Sequence, residues 1–274
     1  MPLDYKQKQR YKMEDLLDIM RLLRSDNGCD WDKVQTHQSI RSNFLEETHE
    51  AIEAINSGDA ESLCEELGDV LLQIVFHSQI ENERGVFDFD DVVDGICKKL
   101  IKRHPHVFKD VHIDDKEEIL RNWDKIKRQT KGGSTQADLL RSVPKTLPAL
   151  MRSTKVQSRA ARVGFDWPDI TGALEALDSE KLELEKAIAD GDAQKTEEEL
   201  GDLLFSAVNV SRFLGCDAEQ ALTLSCDKFI RRFELVESLA KKQGLDMTSA
   251  GLQKLDELWQ KAKSMSQACG QDIT

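Results

Sequence analysis

One stretch of this chain is written twice, with the copies 133 residues apart. Gly58-Asp59-Ala60 followed by Glu65-Glu66-Leu67-Gly68-Asp69 returns as Gly191-Asp192-Ala193 followed by Glu198-Glu199-Leu200-Gly201-Asp202. The same register pairs Glu47 with Glu180 and Glu50 with Glu183, and after a three-residue indel it pairs Gly28-Cys29-Asp30-Trp31 with Gly164-Phe165-Asp166-Trp167. Further on, Cys97 to Arg103 meets Cys226 to Arg232, and each copy closes with a Trp followed four residues later by Lys: Trp123 and Lys127, Trp259 and Lys263. A duplicated supersecondary unit must satisfy its own packing in each copy, so any admissible fold is built twice. The Gly/Ser chemistry of Lys131-Gly132-Gly133-Ser134-Thr135 marks the seam. This divides the chain into a first repeat, 1–130, a linker, 131–137, and a second repeat, 138–274.

Both units read as all-α. Apolar residues recur at helical intervals and strand signals are almost absent, which predicts helices over Met13–Arg24, Ile40–Asn56, Ala60–Gln79, Asp90–Lys102 and Glu117–Lys127, with counterparts in the second unit. Asn56-Ser57-Gly58-Asp59 is the short polar turn of an antiparallel helix pair, and Asp190-Gly191-Asp192 repeats it. Pro144, Pro148 and Pro168 fall before or between helical runs, where a missing N–H costs little.

Charge narrows the function classes. The 38 Lys+Arg against 51 Asp+Glu leave a net charge of -13, which argues against a nucleic-acid polymer as partner while allowing a small phosphate ligand on a local basic cluster. No apolar run is long enough for a membrane span, and the first residues lack a secretory h-region. Six cysteines without a Cys-x-x-Cys pair read as reduced thiols. A cytoplasmic protein is expected.

The carboxylates carry the chemistry. Each unit has two acids three apart on one helix and two more three apart on the next: Glu47/Glu50 with Glu66/Asp69, and Glu180/Glu183 with Glu199/Asp202. Spacing of three keeps each pair on one helix face. Glu66 falls about 40° from Val70 on the stripe Leu63, Leu67, Val70, Leu71, Ile74, whereas Glu46, Glu61 and Glu65 point away from the stripes. Antiparallel packing of the two helices brings the border acids to a common seam, where like charges raise one another's pKa until a cation neutralises them. From Asp138 onward there is no His, so the second site offers oxygen ligands alone, which suit Mg2+ or Mn2+. A di-iron bundle would need Glu-x-x-His on two helices. Glu46-Glu47-Thr48-His49 matches once, Leu182 replaces His49 in the second unit, and no other helix repeats the match. Downstream, Lys228, Arg231 and Arg232 share spacings of three and four, with Lys99, Lys102 and Arg103 as first-unit equivalents. Magnesium carboxylates beside fixed cations describe a polyphosphate pocket. Trp259 sits on an amphipathic stretch with Leu255 and Leu258, as a core or interface residue or a stacking surface.

These motifs resemble the MazG family of nucleoside triphosphate pyrophosphohydrolases in its tandem-repeat form. The family pattern, Glu-Glu-x-x-Glu, a gap, then Glu-x-x-Asp, is present as Glu46-Glu47-Thr48-His49-Glu50 with Glu66-Leu67-Gly68-Asp69, and as Ser179-Glu180-Lys181-Leu182-Glu183 with Glu199-Leu200-Gly201-Asp202. Ser179 departs from the first Glu of the pattern. The resemblance implies an all-helical fold in which each unit completes a helix bundle by dimerisation, and Mg2+-dependent cleavage of an NTP to NMP and pyrophosphate. It further implies that Glu180, Glu183, Glu199 and Asp202 hold magnesium and carry the catalysis, with Glu47, Glu50, Glu66 and Asp69 as metal ligands in the first unit. Lys195, Lys228, Arg231 and Arg232 would hold the triphosphate, and Trp259 and Lys263 would border the nucleotide. Ser62 stands where the second unit has Lys195, and Phe76 where it has Asn209, so the second unit is expected to be the main catalytic one. The rival readings are a helical metal-binding adaptor, and a hydrolase of dNTPs or another phosphorylated metabolite.

Overall fold

In a computed structural model that describes residues 5–108 and 135–268, all regular secondary structure is helical. The chain divides into two compact units, Met1–Gly132 and Gly133–Thr274. The expected helix Glu117–Lys127, with Trp123 and Lys127, and residues 131–134 of the expected linker lie outside the described residues.

The first unit runs through α1 (Met13–Leu23), a single 3-10 turn at Asp32–Val34, α2 (Arg41–Ser57), α3 (Ala60–Glu83), α4 (Phe89–Arg103) and α5 (Pro105–Phe108). Helices α2 and α3 form the antiparallel pair that the turn residues predict. Gly58 takes φ 72°, ending α2 in the left-handed conformation that a side chain resists. Asp59 then caps α3, its Oδ1 accepting from the backbone N–H of Glu61 at 3.0 Å and of Ser62 at 3.3 Å. Helix α3 runs four residues beyond the expected end at Gln79 because ion pairs hold its last turn: Arg84 on Glu81, and Arg24 reaching Glu83 with two hydrogen bonds of 2.8 and 2.7 Å. Met20, Ile40, Val75, Phe76 and Ile80 form the core, with Leu16 and Leu17 of α1 packed against it. Because α1 covers only the C-terminal half of α3, Leu67, counted on the apolar stripe, is half exposed.

The second unit has α6 (Gln136–Arg141), α7 (Ala149–Ala161), α8 (Ile170–Asp190), α9 (Ala193–Phe213), α10 (Ala218–Lys242) and α11 (Leu252–Ala268). Helix α6 begins inside the stretch expected to be linker, because Thr135 and Asp138 form a reciprocal capping box. The α8–α9 pair repeats the first hairpin: Gly191 at φ 69°, then Asp192 accepting from Lys195 N–H at 3.0 Å. Helix α7 packs on α9, and α10 packs on α7 and pairs with α11 around Val236, Ala240, Leu258 and Ala262. Replacing Asp192 by Ala, which orphans an N–H at the start of α9, is expected to lower stability by ~1 kcal/mol. Chemical denaturation would read this as a lower midpoint at unchanged slope.

Candidate functional site

The two hairpins place their acids as the angular argument requires, with one refinement. Carboxylate oxygens of Glu47, Glu66 and Asp69 lie within 4.8 Å of one another, as do those of Glu180, Glu199 and Asp202. Three acids per unit converge and the fourth stands beside them. Glu50 acts on both Glu47 and Glu66 as a like charge, and Glu183 is the largest charge contribution at Glu180. The Ser179 hydroxyl donates to Glu183 Oε1 at 3.2 Å, so this departure from the family pattern supplies a donor to one of the acids. Glu46, Glu61 and Glu65 are exposed, as is His49, which is not part of the cluster.

Desolvation first, and neighbouring carboxylates second, raise the Glu47, Glu66 and Glu180 carboxyls above the ordinary glutamate range. Glu199 is buried on α9, between Asp202 one turn further on and Lys195 one turn back. Lys195 Nζ sits 3.6 Å from Glu199 Oε1. Three clustered oxygen donors with little positive charge among them form a set that a hard divalent cation would satisfy.

The other expected binding groups are carried elsewhere in the second unit. Lys228 and Arg231 are exposed and Arg232 is half-buried, all on α10; Trp259 and Lys263 are on α11. Trp259 packs its indole 5.0 Å from the Phe229 ring, at the edge of the α10–α11 core. Their first-unit equivalents Lys99 and Lys102 are exposed on α4.

Two polar networks escape a reading by spacing. In the first unit, His37 approaches His77 with Nδ1 to Nδ1 at 2.7 Å and Glu81 Oε1 through Nε2 at 2.6 Å, while burial, then His37, holds the His77 imidazole below the ordinary histidine range. In the second unit, Arg212 joins Asn209 on its own helix to Asp166 in the preceding loop. Only the repeated Gly-x-Asp-Trp motif hinted at the latter.

The MazG nucleotide pyrophosphohydrolase domain matches residues 35–108 and 170–237, one copy over each hairpin. The chain is 45% identical over 250 residues to the nucleoside triphosphate pyrophosphohydrolase/pyrophosphatase MazG of Thermotoga maritima, spanning 91% of this chain and 95% of that one. It is 44% identical to the nucleoside triphosphate pyrophosphohydrolase of Escherichia coli K12, spanning 92% and 97%. YabN of Bacillus subtilis is 43% identical over 89% of this chain but half of its own length. With the family's domain present twice, and identity of this order sustained along nine-tenths of the chain, this protein belongs to the MazG nucleotide pyrophosphohydrolase family.

Proposed function

We propose that this chain hydrolyses nucleoside triphosphates to the monophosphate and pyrophosphate with Mg2+ as cofactor, Mn2+ being able to replace it. The observation that carries the reading is the carboxylate triad on each hairpin, in a chain of this family. Held by Glu180, Glu199 and Asp202, with Glu183 alongside, Mg2+ would supply neutralising charge for the phosphates and a polarised water. Glu183, outside the triad, would orient the attacking water toward the α-phosphorus and accept its proton, as the bond from the α-phosphorus to the bridging oxygen breaks and pyrophosphate departs. Lys195, already beside Glu199, balances the charge that develops on the leaving group. Lys228, Arg231 and Arg232 bind phosphate oxygens, and Trp259 and Lys263 border the nucleotide. The second unit is the main catalytic one: its Lys195 and Asn209 are replaced in the first unit by Ser62 and by Phe76, which is buried in the core.

A homodimer is part of the proposal. Val92, Val93, Ile96, Leu100 and Ile101 leave an apolar face of α4 open, and Phe229, Ile230 and Phe233 do the same on α10. A second copy would cover such faces and bring α10 cations toward a carboxylate seam. Among the described residues no helix is long and apolar enough to cross a membrane. We place the protein in the cytoplasm, acting on the nucleotide pool, with no nucleic-acid polymer among its partners. The proposed repeat limits are 1–130 and 138–274.

The test is incubation with the four NTPs and Mg2+. NMP and pyrophosphate in equal amounts are expected, and chelation should abolish their formation. Release of orthophosphate without pyrophosphate would overturn the reading, as would turnover indifferent to Glu199→Gln.

A further inference from the structure

The α8–α9 hairpin carries a second built feature, one ligand's length from the carboxylates. Asn209 follows Asp202 by seven residues on α9, hence on the same face and about 10 Å along the axis. That is the reach from a nucleotide's phosphates to its base. The Asn209 amide is held in one sense: Oδ1 accepts from Arg212 Nε at 3.1 Å and Nη2 at 2.9 Å, so the Nδ2 group is left as the donor end, facing away from the guanidinium. Arg212 also grips Asp166 with both terminal nitrogens, Nη1 to Oδ2 at 2.9 Å and Nη2 to Oδ1. Bidentate pairing of this kind locks the preceding loop against α9.

That loop presents Phe165, 81% exposed, and Trp167, 48% exposed. The Trp167 indole lies against the first turn of α8 at Gly172, where a Cβ would come within 2.7 Å of Cε3. One side of the ring is thereby seated, and much of the rest is open. Large aromatics fixed by an ion pair and left uncovered are surfaces on which a flat ring stacks. Among its described residues the first unit repeats only the exposed indole, Trp31: Phe76 fills the Asn209 position and is buried, Gln79 replaces Arg212, and Asp30 pairs with Lys33 of its own loop at 2.5 Å.

We infer that Trp167 and Asn209, with Arg212 as their positioning residue, form the nucleobase subsite of the second repeat. The indole stacks on the base and the Asn209 amide donates a hydrogen bond to an acceptor on its edge. This rests on the pyrophosphohydrolase reading above and deepens it. The subsite distinguishes a nucleotide from a bare polyphosphate and is absent from the first repeat.

The test is steady-state pyrophosphate release by the full chain, with inorganic tripolyphosphate as a base-free competitor. Trp167→Ala and Asn209→Leu are expected to raise KM for NTPs on the order of 10-fold, as loss of a stacked base does. They should leave kcat within about twofold and the tripolyphosphate inhibition constant unchanged. Trp167→Phe should recover most of the affinity. Gly172→Ala, which displaces the indole without touching a polar group, should behave like Trp167→Ala. Unchanged KM in Trp167→Ala would overturn the subsite. So would a parallel rise in the tripolyphosphate constant, or a shift in oligomeric state in place of the KM change. If the wild-type chain releases no pyrophosphate, the functional reading fails separately. Nucleoside monophosphate titration by isothermal calorimetry then decides the subsite: binding abolished by Trp167→Ala sustains it, and equal binding in both proteins overturns it.

Discussion

Asp202→Asn is expected to lower pyrophosphate release by on the order of 10³-fold, while Asp69→Asn leaves most of it. The first effect follows from the triad. The Asp202 carboxylate lies within 4.8 Å of those of Glu180 and Glu199, and an amide in its place removes one of the proposed anionic ligands while keeping shape and volume. Metal-supplied stabilisation of a phosphoryl transition state amounts to several kcal/mol, and each 1.36 kcal/mol is about tenfold in rate. The second effect follows from what surrounds the first-unit acids. Glu47, Glu66 and Asp69 converge equally well, yet Ser62 offers no cation where Lys195 stands, and Phe76 is buried under the Arg24 guanidinium, 5.2 Å from its ring centroid. Loss in Asp69→Asn alone would transfer the activity to the first repeat.

Binding of a divalent cation at the carboxylate clusters should stabilise the fold in a pH-dependent way. Glu47, Glu66 and Glu180 are raised by desolvation and then by neighbouring carboxylates. A carboxyl raised in the folded state holds its proton more tightly there than in the unfolded chain. Its contribution to stability is therefore largest in acid and is lost as pH climbs through its folded value. Near neutrality these ionised groups oppose folding unless a cation joins them. Saturating Mg2+ or Mn2+ should raise Tm on the order of 5–10 °C near neutral pH, as a ligand at a hundredfold excess over Kd does in a domain of this size. The rise should fade as pH falls toward the ordinary glutamate range. Glu180→Gln should melt no lower than wild type without metal and show a blunted rise with it. A variant that melts lower and keeps the full metal response would refute the clustering argument. Glu81 and Glu83 work in the opposite direction. Hydrogen bonds from His37 and Arg24 respectively lower them, so their stabilisation is present at neutral pH and vanishes in acid.

Much of this site is legible in one dimension because its parts are local. Acids three apart share a helix face whatever the helix packs against, so Glu199 and Asp202 could be paired before any coordinates. The hairpin turn is equally local: Gly191 is needed for a positive φ and Asp192 for a cap. Which three of four acids meet was not legible, since that depends on how far α8 and α9 rotate about their axes when they dock. Nor was the half-exposure of Leu67, because helical periodicity identifies a face and not the partner that will cover it. The His37–His77 contact and the Arg212–Asp166 clamp join residues 40 and 46 positions apart, and no spacing rule reaches across such a gap.

Duplication, the limits of the described helices to within a few residues, the capped hairpins and the acidic faces were therefore settled by order along the chain, through backbone geometry that repeats every 3.6 residues. Tertiary packing alone decided that Glu50 and Glu183 stand beside the triads, that Asn209 presents its donor and that Trp167 keeps an open indole. Those outcomes depend on the relative rotation and depth of helices and loops, which arise from many weak side-chain contacts acting together and are encoded in no single segment.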